Sequence, residues 1–81
     1  MPHFDIPVYH PNFEDHQQGA GRVVVTESEV EEVWYAERTL ITNRKRPGSY
    51  LMRGLTRSGR LITVVLLPTG DPTSWLVYTA W

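Results

Sequence analysis

Cysteine is absent from the 81-residue chain. That excludes a disulfide framework and any thiolate metal site, and it fits a cytoplasmic location. Long apolar runs are absent too. The longest, around Leu61–Leu67, is broken by Thr63 and falls well short of the roughly 20 residues that cross a bilayer. Residues 1–20 hold Asp5, Glu14 and Asp15 among scattered prolines, so they contain no apolar core of a signal peptide. GxGxxG, Walker A, GxSxG and HExxH patterns are all missing. Nucleotide hydrolysis, dinucleotide chemistry, acyl transfer and zinc hydrolysis are therefore disfavoured. With 41% hydrophobic residues, the chain still reads as one small globular domain.

Bases are scarce in the first half. Residues 1–37 hold eight of the nine acids and only Arg22 as a base. Residues 38–81 hold the other seven bases (Arg38, Arg44, Lys45, Arg46, Arg53, Arg57 and Arg60) against Asp71 alone. The net charge of −1 thus hides two opposed poles. Such asymmetry points to a polyanionic partner, or to an acidic helix neutralising a basic sheet within the domain.

The organisation follows from punctuation and periodicity. Pro2, Pro7 and Pro11 interrupt an alternating segment, Phe4, Ile6, Val8, as an edge strand allows. Asn12 is placed to cap a short helix over Asn12–His16, with a loop over Gln17–Gly21. Thr26 and Glu29 have capping-box spacing, and Val30, Val33 and Trp34 form one apolar stripe. This predicts a helix within residues 26–38. Beyond Arg38 the period becomes two, with turns at Lys45–Ser49, Arg57-Ser58-Gly59 and Thr69–Ser74. The expected fold is α+β: a four-stranded antiparallel sheet over 39–81 packed on one main helix, with a short extra N-terminal strand and helix. In the last strand, strict alternation puts Trp75, Val77, Thr79 and Trp81 on one face and Leu76, Tyr78 and Ala80 on the other.

Chemistry-bearing residues gather around the bases. Arg53 falls mid-strand on the face of Leu51 and Leu55. Its charge must be answered by a helix carboxylate such as Glu31 or Glu32, or by a phosphate, which suits the planar fork. Arg44, Lys45, Arg46, Arg57 and Arg60 flank turns, where they form either solvated charge or an RNA footprint. Tyr50 and Tyr78 lie among these bases, and a phenol near a phosphate can donate to it or take part in proton transfer. His3, His10 and His16 all fall in the first sixteen residues, without metal-ligand spacing.

Four segments resemble the BrnT-type toxins of bacterial toxin–antitoxin modules, distant members of the RelE-like ribonuclease group. Asn12-Phe13-Glu14-Asp15-His16 is similar to the family's N-x-x-K-H segment, with Asp15 in place of the lysine. Residues 25–33 are similar to its helix opening. Tyr50-Leu51-Met52-Arg53-Gly54-Leu55-Thr56, followed by Gly59-Arg60-Leu61-Ile62-Thr63-Val64-Val65, resembles its hairpin, the most specific piece. Gly70-Asp71 and a final strand ending Thr79-Ala80 follow in order. The resemblance implies a compact sheet with helices on one face. It also implies metal-independent endoribonuclease activity without a cofactor, and neutralisation by a cognate antitoxin. On that basis Arg53 and Arg57 supply charge at the scissile phosphate, and His16, Tyr50 and Tyr78 handle protons. Arg44, Lys45, Arg46 and Arg60 hold RNA. The alternative is a non-catalytic protein- or RNA-binding module on the same fold. Trp75 and Trp81, on one face of the last strand, mark an interface in either case and raise the expectation of a homodimer.

Overall fold

The computed structural model of the chain describes residues 4–11, 13 and 25–81. The expected short helix at Asn12–His16, the loop after it, and His3 and His16 lie largely or wholly outside these residues.

The described chain runs β1 (Ile6–Tyr9), α1 (Glu27–Trp34), β2 (Thr39–Thr42), β3 (Tyr50–Leu55), β4 (Leu61–Pro68) and β5 (Ser74–Ala80). The α+β class is as expected, but the sheet has five strands in the order β1-β5-β4-β3-β2. It is mixed, because β1 pairs in parallel with β5 while the other neighbours are antiparallel. The four-stranded antiparallel expectation is corrected on this point. A parallel pairing joins segments far apart in sequence, so no local turn signal announces it. The prolines did identify an edge strand, since Pro7 lacks an N–H and β1 stands at the sheet's margin.

Helix α1 starts where its cap dictates. Thr26 Oγ1 accepts from Glu29 N at 3.2 Å, and Glu29 Oε1 accepts from Thr26 N at 3.1 Å. Both bonds satisfy donors that the first turn leaves open. The helix ends at Trp34, earlier than periodicity alone indicates. There the Arg38 guanidinium donates to the Trp34 carbonyl, answering one of the acceptors left free at a helix C-terminus.

One face of α1 buries Val30, Val33 and Trp34 against Met52, Ile62, Val64, Leu66, Trp75, Val77 and Ala80 of the sheet, with Phe4, Phe13 and Val25 completing the core. Helix and sheet approach closely at Gly54. A Cβ there would stand 2.9 Å from Val33 Cγ1 and 3.2 Å from the Glu37 carbonyl oxygen.

Between Val65 and Leu66 the β4–β5 register shifts, so that Val65 faces Thr79 but Leu66 faces Val77. Tyr78 is the extra residue of a β-bulge. Strict alternation across β5 therefore fails. Trp75, Val77 and Ala80 point to the core, whereas Leu76 and Thr79 point away from it.

Candidate functional site

All the packing described so far lies on one side of the sheet. The pleat directs Leu51, Arg53 and Leu55 of β3, and Leu61, Thr63 and Val65 of β4, to the opposite side, away from α1. Ile41 of β2 and Val8 of β1 follow from the cross-strand register. On this side Ile6 is 52% exposed, Leu55 58% and Leu61 61%, whereas Thr63 and Val65 are buried.

Arg53 is the single charged residue in the five strands. It is exposed, and its Nε donates to Thr63 Oγ1 at 3.1 Å across the β3–β4 ladder. Thr63 in turn exchanges both backbone hydrogen bonds with Trp81, at 2.7 and 2.9 Å. Thr39, Arg53, Thr63 and Trp81 thus form one row across the face turned away from α1. A surface depression of about 860 Å³ lined by Glu37, Arg38, Thr39, Arg53, Leu55 and Leu61, among others, borders that row.

Expectations for Arg53 had included a salt bridge to Glu31 or Glu32. Its side chain lies on the face away from α1 and makes no ion pair among the described residues. The helix carboxylates find other partners on their own layer. Glu29 pairs with Arg60 at 3.1 Å, and Glu32 Oε1 accepts from the Arg57 backbone N–H at 2.8 Å.

The remaining expected site residues divide between the two layers. Tyr50 belongs to the core side, with its ring edge-on to Phe4 at 5.4 Å and to Trp75 at 5.3 Å. Trp75 stacks on Phe4 at 4.8 Å and is buried, while Trp81 is 46% exposed. Of the two tryptophans expected at an interface, only Trp81 presents surface. The bulge that splits them is the physical reason. Arg44, Lys45 and Arg46 lie between β2 and β3, all exposed. Arg60 is half-buried and bound to Glu29, away from them. Arg53 and Tyr78 therefore share the side turned away from α1, whereas Tyr50 and Arg60 do not.

His10, one of the three N-terminal histidines, carries no expected site role. Its ring meets Tyr78 at 5.4 Å in an edge arrangement, and Arg46 lies over the same Tyr78 ring, its guanidinium carbon 5.2 Å from the centroid. The one sequence signal for His10 is that it continues the alternation of β1, after Val8 and Tyr9.

Tyr9 faces the other layer. Its hydroxyl donates to the Glu27 carbonyl at 3.1 Å. Burial, and then the nearby Glu31 and Glu27 charges, hold the phenol well above its usual range. Asp71, in the β4–β5 turn, is held below the usual carboxylate range chiefly by the Thr73 backbone N–H. Among the described residues no cluster of acidic or histidine side chains has the makings of a metal site, and no helix is long and apolar enough to cross a membrane.

No protein-family model, curated protein or solved structure matches the chain.

Proposed function

We propose that the chain is a small RNA-acting domain of the ribonuclease-toxin type, with its ligand on the sheet face turned away from α1. Arg53 carries this reading: a lone charge among five otherwise uncharged strands, exposed on that face and without an ion-pair partner among the described residues. A strand residue with no structural anion to answer it is suited to an incoming one, and its planar fork fits a phosphate. Trp81, in the same row, supplies a ring on which an unpaired base can stack. None of the strands carries an acid to repel the ligand.

Cleavage is the narrower part of the proposal. The RNA 2′-OH loses its proton to a base, the O2′–P bond forms and the P–O5′ bond breaks, with a proton supplied to the departing 5′-oxygen. Arg53 then stabilises the charge that builds on the phosphate. A neutralising protein that covers the same face follows from this reading.

The test is fluorescence anisotropy of a labelled single-stranded RNA at low salt in EDTA, with cleavage products followed in parallel. Binding should weaken as salt rises. It should fall about tenfold in Arg53→Ala, the scale of a lost charge-assisted hydrogen bond. A folded wild-type protein that binds no RNA overturns the reading. The exposed Ile6, Leu55 and Leu61 favour a second one, in which the face docks protein. An RNA-inactive chain whose Trp81 becomes shielded as concentration rises would support that alternative.

A further inference from the structure

On the sheet face turned away from α1, at the end far from Leu55 and Leu61, three side chains from distant parts of the sequence converge. Alternation from Val77 turns Tyr78 away from the core, and the β-bulge brings Thr79 out beside it. His10, just past β1, sets its ring edge against Tyr78 at 5.4 Å and an interplanar angle of 77°. Arg46 reaches from the β2–β3 connection to lie over that ring.

The connection holds Arg46 in place from both sides of its backbone. Arg46 N donates to the Asn43 carbonyl at 3.2 Å. The Arg46 carbonyl accepts from Ser49 N at 3.1 Å and from Ser49 Oγ at 2.6 Å. Arg46 is exposed with its guanidinium carbon 5.2 Å from the Tyr78 centroid, so the ring supports the cation while its N–H edge stays open to solvent. That edge is the part which binds an oxyanion in bidentate fashion. Arg44 and Lys45 are exposed next to it, and residues 38–70 contain no acid.

We propose that Arg46, Tyr78 and His10 form a phosphate-binding site. Arg46 is the principal donor, Tyr78 the platform that orients it, and His10 the side wall that fixes the platform. The site deepens the RNA reading, on which its assignment to RNA rests. The phosphate it takes belongs either to the RNA backbone or to a free monoester.

Two probes separate these sources: inorganic phosphate, and a single-stranded RNA without terminal phosphates. Phosphate titration followed by NMR should shift the Arg46 Nε–H, Tyr78 and His10 signals together and saturably. Arg46→Ala should abolish those shifts and Arg53→Ala should leave them in place. If Arg46→Ala also weakens the RNA about tenfold, the site is filled by backbone phosphate. If only inorganic phosphate is lost, the site holds but its source is the monoester. Phosphate shifts that do not saturate, or that persist unchanged in Arg46→Ala, overturn the site. Arg46→Lys, which keeps the charge and lacks the fork, should bind phosphate more weakly than wild type and guards against a folding defect in the alanine variant. RNA binding lost in Arg53→Ala but untouched in Arg46→Ala and Arg46→Lys would defeat the RNA assignment of this site and spare the face reading. Absence of RNA binding in wild type defeats the face reading alone if the phosphate shifts remain.

Discussion

The Arg60 guanidinium donates to both oxygens of the Glu29 carboxylate, at 3.3 and 3.1 Å, and that carboxylate also closes the capping box on Thr26. One side chain therefore ties the first turn of α1 to the β3–β4 hairpin. Substituting Glu29 by Ala removes both links, and a cap alone is worth about 1 kcal/mol. Urea unfolding should show a loss of about 1–2 kcal/mol. Arg60→Ala should cost less, since it leaves the capping box between Thr26 and Glu29 in place. A double-mutant cycle that finds no coupling between the two residues would contradict the link.

Gly54 is where helix and sheet come closest. Alanine there drives a methyl to 2.9 Å from Val33 Cγ1, and the Glu37 backbone behind it leaves little room to retreat. Overpacking of this kind costs about 1–3 kcal/mol. Gly54→Ala should lower the unfolding midpoint, and adding Val33→Ala should recover less than the clash costs, because Val33 is itself fully buried core.

Tyr9 links stability to alkaline pH. Its phenol is raised in the folded state above the ordinary 10.0, first by burial and then by the Glu31 and Glu27 charges. Above pH 10 the unfolded chain loses this proton while the folded chain keeps it, so stability falls as pH rises. The contribution is fully present below pH 10 and is lost through the folded titration. Unfolding of wild type and Tyr9→Phe compared across this range should show the steeper decline in wild type. Equal slopes would place the proton elsewhere.

The three tryptophans divide by layer. Trp34 and Trp75 are buried, whereas Trp81 is 46% exposed on the face turned away from α1. Acrylamide should quench one component of the fluorescence readily, and Trp81→Phe should remove it. RNA bound beside Arg53 should protect that component; quenching that is unchanged at saturating RNA would put the ligand on another surface.

Local structure was largely legible in the chain. Thr26 and Glu29 announced the start of α1, its apolar stripe named the residues it buries, and the glycines of the turns marked the hairpins. Gly48 and Gly59 do adopt positive φ there. The C-terminal end of α1 was less legible, because the Arg38 guanidinium that meets Trp34 reads in sequence as one more charge. The candidate site was legible only in part. Arg53 stood out as a charge among apolar strand neighbours, and alternation put it with Leu51 and Leu55. Its release from the helix glutamates was not readable, since that depends on which face α1 covers.

Composition and periodicity by themselves determined the α+β class, the one well-marked helix, the hairpins and the segregation of charge. These rest on contacts a few residues apart and on the chemistry of single side chains. Tertiary structure alone decided the parallel docking of β1 on β5, the bulge at Tyr78 and the division of the aromatics between two faces. It also brought His10, Arg46 and Tyr78 together. Each of these depends on register between strands distant in sequence, and a shift of one residue moves a side chain from the core to the open face.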